Sequence, residues 1–228
     1  MDSSLIALDI ETTGLDAQKD AIIEIAAVRF KGSRIEGEFH SLVNPGRPVP
    51  PFITQLTGIT DQMVRPAPTI REVIPDLNAF VGDLPIVGHN IQFDLSFIRR
   101  YKILELNDFI DTYEMASVLL PRASRYNLGS LGQQLEIPLS ATHRAMDDTR
   151  VTREVFRKLY EMALQLPIHL LAELVRQSEN LVWGAALPFQ QALRSRSKEA
   201  ISARQVRASH LGPMFESYES RNYPPLSP

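Results

Sequence analysis

The run LIALDIETTGL, residues 5–15, constrains this chain more than any other stretch. Its apolar start reads as a buried strand, yet Asp9 and Glu11 stand at its end. Side chains alternate along a strand, so residues two apart share one face. The two carboxylates therefore point the same way, about 7 Å apart by the rise per residue. Such a strand belongs inside a sheet with its charged end at a rim, and something must offset the repulsion there.

The following pattern says what kind of sheet. Residues 5–10, 22–30 and 36–43 are strand-like and joined by short links carrying Gly14-Leu15-Asp16 and Lys31-Gly32-Ser33, which predicts an antiparallel meander. The stretch NPGRPVPPFITQLTGIT then marks an irregular crossing with a short helix. Helical spacing over 69–81 puts Ile70, Val73, Ile74, Leu77 and Phe80 on one side, with Pro75 expected where the helix restarts or bends. Short strands at 85–88 and 109–111 alternate with helices over 90–101, 112–119 and 127–134. A long amphipathic helix covers about 145–164, with Val151, Val155, Phe156, Leu159 and Ala163 inward. Strands first, then strand and helix in alternation, describe a mixed sheet flanked by helices.

Composition removes several function classes. The 228 residues include no cysteine, which excludes disulfides, thiolate metal sites and a thiol nucleophile. The apolar fraction, 44%, is enough for a sizeable core. No basic start precedes the first apolar run and no stretch approaches membrane-span length, so the expected location is the cytoplasm, away from any membrane. The net charge of −3 divides into −5 over residues 1–165 and +2 over 166–228. An acidic body argues against long-range gripping of duplex nucleic acid but not against local contact with a short strand.

Three clusters carry candidate chemistry. Asp9 and Glu11, taken alone, read most simply as a solvated strand end, although Thr12-Thr13-Gly14 permits a turn that aims N–H groups at an anion. Asp94, in Gly88-His89-Asn90-Ile91-Gln92-Phe93-Asp94, also reads as a first-turn helix acid. His89 reads equally as a turn residue and Phe93 as core. In His143-Arg144-Ala145-Met146-Asp147-Asp148, Asp147 and Asp148 compete for one role. Together the clusters change the reading. Four carboxylates and a histidine, each at a strand end or helix start, can converge on one rim of the sheet. Hard divalent cations with oxygen ligands relieve such repulsion, and two of them can clamp the attacking and leaving oxygens of phosphoryl transfer.

DIETTG, GHNIQFD and HRAMDD, in that order, resemble the three motifs of the DEDD 3′-to-5′ exonucleases. The His-x-Ala-x-x-Asp form of the third is similar to the DEDDh branch, which holds the epsilon subunit of DNA polymerase III, ribonuclease T and oligoribonuclease. The segments NPGRPVP, LTGIT and YNLGSL add to the likeness, which covers about residues 3–165. The resemblance implies a ribonuclease-H-like fold with a five-stranded mixed sheet between helices. It implies two Mg²⁺ or Mn²⁺ ions, one held by Asp9, Glu11 and Asp148, with Asp9 bridging to a second that Asp94 supports. His143 would be the general base. Thr12, Thr13, Gly14 and Leu15, with His89, Asn90 and Phe93, would hold the 3′-terminal nucleotide, and Ile59 would offer an apolar contact to a base. All five motif residues are present, which favours an active enzyme.

The expected organisation is an exonuclease domain over 1–165 and an apolar, basic helical tail over 166–228, its Pro/Ser-rich end disordered. By the same resemblance the tail suits a polymerase or helicase partner through residues 166–210; its apolar residues must pack on the domain or on a partner, with contact expected through Leu170, Leu174, Trp183 and Phe189 rather than through the arginines. The leading functional expectation is metal-dependent removal of nucleoside 5′-monophosphates from single-stranded DNA 3′ ends in proofreading or repair. The alternatives are the same chemistry on short RNA ends and a module that mainly recruits a polymerase or helicase.

Overall fold

The computed structural model describes residues 1, 3–139 and 144–210, with side chains as far as residue 202. His143 and the Pro/Ser-rich end therefore lie outside the described residues.

Strands β1 (Leu5–Thr12), β2 (Ile22–Lys31) and β3 (Arg34–Leu42) form the expected meander, and β4 (Ile86–Gly88) and β5 (Phe109–Asp111) extend it. The order across the sheet is β3-β2-β1-β4-β5. β1 pairs antiparallel with β2 and parallel with β4, so the strand that opens the chain is central. A central strand buries both faces, which is why its first six residues are almost wholly apolar.

Between the strands lie α1 (Pro51–Thr57), α2 (Asp61–Val64), α3 (Ile70–Val81), α4 (Gln92–Ile98), α5 (Thr112–Leu119), α6 (Leu128–Gln134) and α7 (Ala145–Gln165). The sheet divides the core by strand parity. Leu5, Ala7, Val28, Phe30, Val87 and Ile110 face α5, α6 and α7. Ile6, Leu8, Ile10, Ile25, Ala27 and Ile86 face α3 and α4. This is the mixed sheet between helices that the pattern of elements implies.

Two local expectations change. Pro75 sits inside α3 without interrupting it. Pro75 and Arg71 are both exposed, so the Arg71 carbonyl deprived of its N–H partner can face water. The reciprocal bonds of Thr69 and Glu72 also cap the helix start. The helix expected over 90–101 is shorter, running from Gln92 to Ile98 before one 3₁₀ turn. Asn90, at φ +59°, turns the chain in the left-handed region before the helix can begin.

The C-terminal segment lies on the sheet domain. Helices α8 (Ile168–Ser178) and α9 (Ala186–His210) pack on each other, and α9 packs on α7 and β5. Leu171, Ala185, Phe189 and Ala192 are fully buried in the same core as Ala7 and Val87. Trp183 stacks on Phe189 with ring centres 5.4 Å apart, and Leu174 is partly buried, whereas Leu170 is exposed. Gly184 exchanges bonds with β5 and α5: its N–H donates to Glu114, and its carbonyl accepts from Asp111 N–H. A Cβ on Gly184 would come within 2.7 Å of Asp111 Cβ, so the contact requires glycine. No helix among the described residues is long and apolar enough to cross a membrane.

Candidate active site

Parity decides where the charges at the rim go. Asp9 and Glu11 continue the face of Leu5 and Ala7, toward α7. The antiparallel register sets Asp9 opposite Ala26 and Glu11 opposite Glu24. The small residues Ala7 and Ala26 let the first turns of α7 lie close, and Thr149 Oγ1 reaches the Ala26 carbonyl. That approach brings Asp148 to the rim. Ligand oxygens of Asp9, Glu11 and Asp148 lie within 4.8 Å of one another, and all three residues remain partly open to solvent. Asp147, one position earlier, instead lines a separate cleft of about 390 Å³ with Glu38, His40, Arg144 and Arg150. Neighbours on a helix point about 100° apart, which separates the two acids.

Asp94 enters from the first turn of α4 and is buried. Its Oδ1 accepts the Ile10 N–H at 3.0 Å, which fixes the carboxylate between the strand positions of Asp9 and Glu11.

The electrostatics show what this rim lacks. Burial, then the charges of Asp94, Glu11 and Asp148, push the Asp9 carboxyl well above its ordinary range. Burial, then Asp148, Glu24 and Asp94, push Glu11 up to about 8, against a smaller opposing effect of Arg144. Burial raises Asp94 to about 8 despite its bond from Ile10. Negative charge is thus disfavoured at all three positions unless a cation compensates it. Three carboxylates with hard oxygen donors and partial exposure could hold a divalent metal ion.

The other candidates from the sequence divide. Thr12 and Thr13 are buried and spend their hydroxyls locally, Thr12 on the Gly14 carbonyl and Thr13 on Asp20 and the Ala21 N–H. A Cβ at Gly14 would meet the Asp20 carboxylate at 2.4 Å, so any larger residue there would have to displace that side chain. Leu15, 85% exposed, projects from this turn. Asn90 is exposed and follows His89, whose Nδ1 lies 2.9 Å from Thr112 Oγ1. Burial holds the His89 pKa below its ordinary value. Phe93 is partly buried and packs on Phe97, ring centres 5.1 Å apart. Ile59 must be corrected. It is fully buried with Ile23, Val49, Ile53 and Val64, and so has no surface to offer a base.

Two residues near the rim escape the motif reading. Glu24 is a fully buried carboxylate inside the apolar run of β2. It accepts from Arg144 Nη2 at 2.5 Å and Nε at 3.1 Å, from the Ala145 N–H at 2.9 Å, and lies 2.7 Å from His40 Nε2. Burial alone would raise its pKa, but the bonds from Arg144, His40 and Ala145 outweigh burial and lower it. Its signal was present in sequence, as one acid sharing parity with the core residues Val28 and Phe30. Asp111 accepts from the N–H groups of Asn90, Ile91 and Tyr113, and so fixes the turn ahead of Asp94. No local pattern links residues this far apart.

Residues 6–156 match the RNase T exonuclease family. The chain is 38% identical over 193 residues to the PolC-type DNA polymerase III of Thermotoga maritima, a match covering 82% of this chain and 14% of that protein. The chain thus spans a small fraction of the PolC-type relatives it matches. It is 36% identical over 166 residues to the DNA polymerase III epsilon subunit of Aquifex aeolicus, covering 71% of this chain and 82% of that one. Among solved structures, exonuclease X in complex with 5′-overhanging duplex DNA is similar with a TM-score of 0.58 and 28% identity, covering 69% of this chain and 91% of that one. Escherichia coli exonuclease I in complex with a dT13 oligonucleotide shares the fold, with a TM-score of 0.61 at 19% identity, over 78% of this chain and 44% of that one. With family, relatives and fold in agreement over the residues that carry the acidic rim, the chain belongs to the RNase T exonuclease family.

Proposed function

We propose that this chain is a divalent-metal-dependent 3′-to-5′ exonuclease that removes nucleoside 5′-monophosphates from single-stranded DNA ends, in proofreading or repair. The observation that carries the reading is the convergence of Asp9, Glu11 and Asp148, with ligand oxygens within 4.8 Å and open to solvent. Two divalent ions bound there would activate the attacking water and stabilise the leaving 3′ oxygen.

The chain's own residues supply the rest. Asp9, Glu11 and Asp148 hold the ions, with Asp94 kept in place beside them by the Ile10 amide. His143 takes the proton from the attacking water, work that suits an imidazole pKa near the working pH. The backbone of 12–15 and exposed Leu15 hold the terminal nucleotide, aided by Asn90. Likeness to an epsilon subunit supports action beside a DNA polymerase.

The test uses labelled DNA and RNA strands of one sequence, incubated with the purified chain with Mg²⁺ or chelator. Stepwise shortening of DNA from its 3′ end, lost with chelator, is the expected result. Shortening of RNA alone would replace this reading with an exoribonuclease, because the 2′-OH is the distinguishing group. Strand binding without metal-dependent cleavage would favour a recruitment module.

A further inference from the structure

We propose that Glu24 and Arg144 form a positioning pair for the metal ligands: Glu24 caps α7 from the neighbouring strand and thereby sets where Asp148 stands. The proposal rests on the metal-binding part of the reading above.

Arg144 occupies the N-cap position of α7 and makes no side-chain capping bond of its own. Caps matter because the first amides of a helix have no partner within it. Here the cap comes through space. Glu24 accepts the Ala145 N–H, the first amide of the helix, and grips Arg144 through Nε and Nη2. The Arg144 carbonyl in turn accepts the Asp148 N–H at 2.9 Å. Displacing Arg144 therefore displaces Asp148. Glu24 also sits opposite Glu11 in the β1–β2 register and binds His40 on β3. One carboxylate thus ties the strand beside Asp9 and Glu11 to the helix that brings Asp148.

Stability alone explains this pair poorly. A buried ion pair is often no better for stability than an apolar replacement, while its geometry is strict. Mg²⁺ demands near-ideal octahedral placement of its oxygens, so a displaced ligand weakens binding. Partners that orient metal ligands commonly change metal affinity 10–100-fold when removed.

The test exploits a conflict of sign. Arg144 is a cation near an acidic site, so deleting its charge should, by Coulomb's law alone, tighten Mn²⁺ binding. Positioning demands the opposite. Mn²⁺ binding to the full chain is measured without nucleic acid by calorimetry, together with the melting temperature, and kcat and KM on a DNA strand. We expect Arg144→Ala to weaken Mn²⁺ binding about 10-fold, to lower kcat, and to leave KM nearly unchanged; Arg144→Lys should recover part of the loss. Should Arg144→Ala fail to fold, Arg144→Gln carries the same expectation. Unchanged or tighter Mn²⁺ binding in a folded variant overturns the pair's role. So does an equal loss of affinity in Phe189→Ala, which removes a buried core side chain and none of the rim's polar groups. A wild-type chain that binds Mn²⁺ but cleaves neither DNA nor RNA would sink the proposed function alone, whereas one that binds no Mn²⁺ would sink both.

Discussion

Glu11 and Glu24 face each other across the β1–β2 ladder, yet their surroundings have opposite sign. Around Glu24 the fold places a guanidinium, an imidazole and a helix amide, which lower its pKa. Around Glu11, burial and then the charges of Asp148, Glu24 and Asp94 raise its pKa to about 8. The same side chain on adjacent strands is thus satisfied internally at one position and left wanting a cation at the other. The inner acid fixes geometry, and the outer acids are open to ligands. A site built this way has its candidate ligand acids at the solvent edge and their buried support on the neighbouring strand.

Removing an outer acid tests this contrast most severely. Asp9→Ala or Asp148→Ala should abolish strand cleavage while the chain stays folded, since each deletes a ligand and relieves repulsion. Circular dichroism and a nuclease assay check both halves, and full activity in Asp9→Ala would dissolve the distinction between the two glutamates. Next in size, His143→Ala should lose about 10²–10⁴ in rate, the range for a general base. Metal affinity should survive in that variant, and a wild-type rate would give His143 another role.

In the core, Phe189→Ala should cost about 3–5 kcal/mol of stability through the cavity it leaves. Its Mn²⁺ affinity should not change as long as it is folded, which separates loss of packing from loss of the site. Truncation near Leu166 should likewise impair folding, since it removes Leu171, Ala185, Phe189 and Ala192 from the core. A stable truncated chain would return the tail to the role of a partner-binding appendage.

A pH series reads the outer acids directly. Glu11 titrates at about 8 in the folded chain and near 4.5 when exposed, and Asp94 is raised in the same sense. Between those values the folded state holds protons that the unfolded state has released, so stability falls as pH rises through the window. The metal-free melting temperature should therefore decline from about pH 5 to pH 8, and saturating Mg²⁺ should flatten the decline. A metal-free melting temperature that rises across that range would contradict the assigned charge pattern. Smallest of all should be Asp147→Asn, less than about threefold in rate, as for an ordinary surface change. An effect equal to that of the Asp148 variant would move the site into the cleft beside Arg150.

Much of the fold was legible in the residue pattern because local rules govern it. Short apolar runs bounded by turn signals marked β1 and β2, and 3.6-residue spacing marked α3 and α7. The same parity said that Asp9 and Glu11 share a face. Local rules failed where distant groups intervened. Ile59 is sealed by α1 and α2 packing over it.

By itself, then, the sequence determined the strands and helices, the motif acids at their ends and the absence of thiol chemistry, since composition and short-range periodicity suffice for these. Only the tertiary structure decided that Asp148 oxygens join those of Asp9 and Glu11, that Glu24 caps α7, and that Gly184 and Phe189 dock the tail on β5 and the core. The physical reason is one of range. Those contacts join residues as many as 139 positions apart, and they exist only because the strand register and the seat of α7 fix both partners at once.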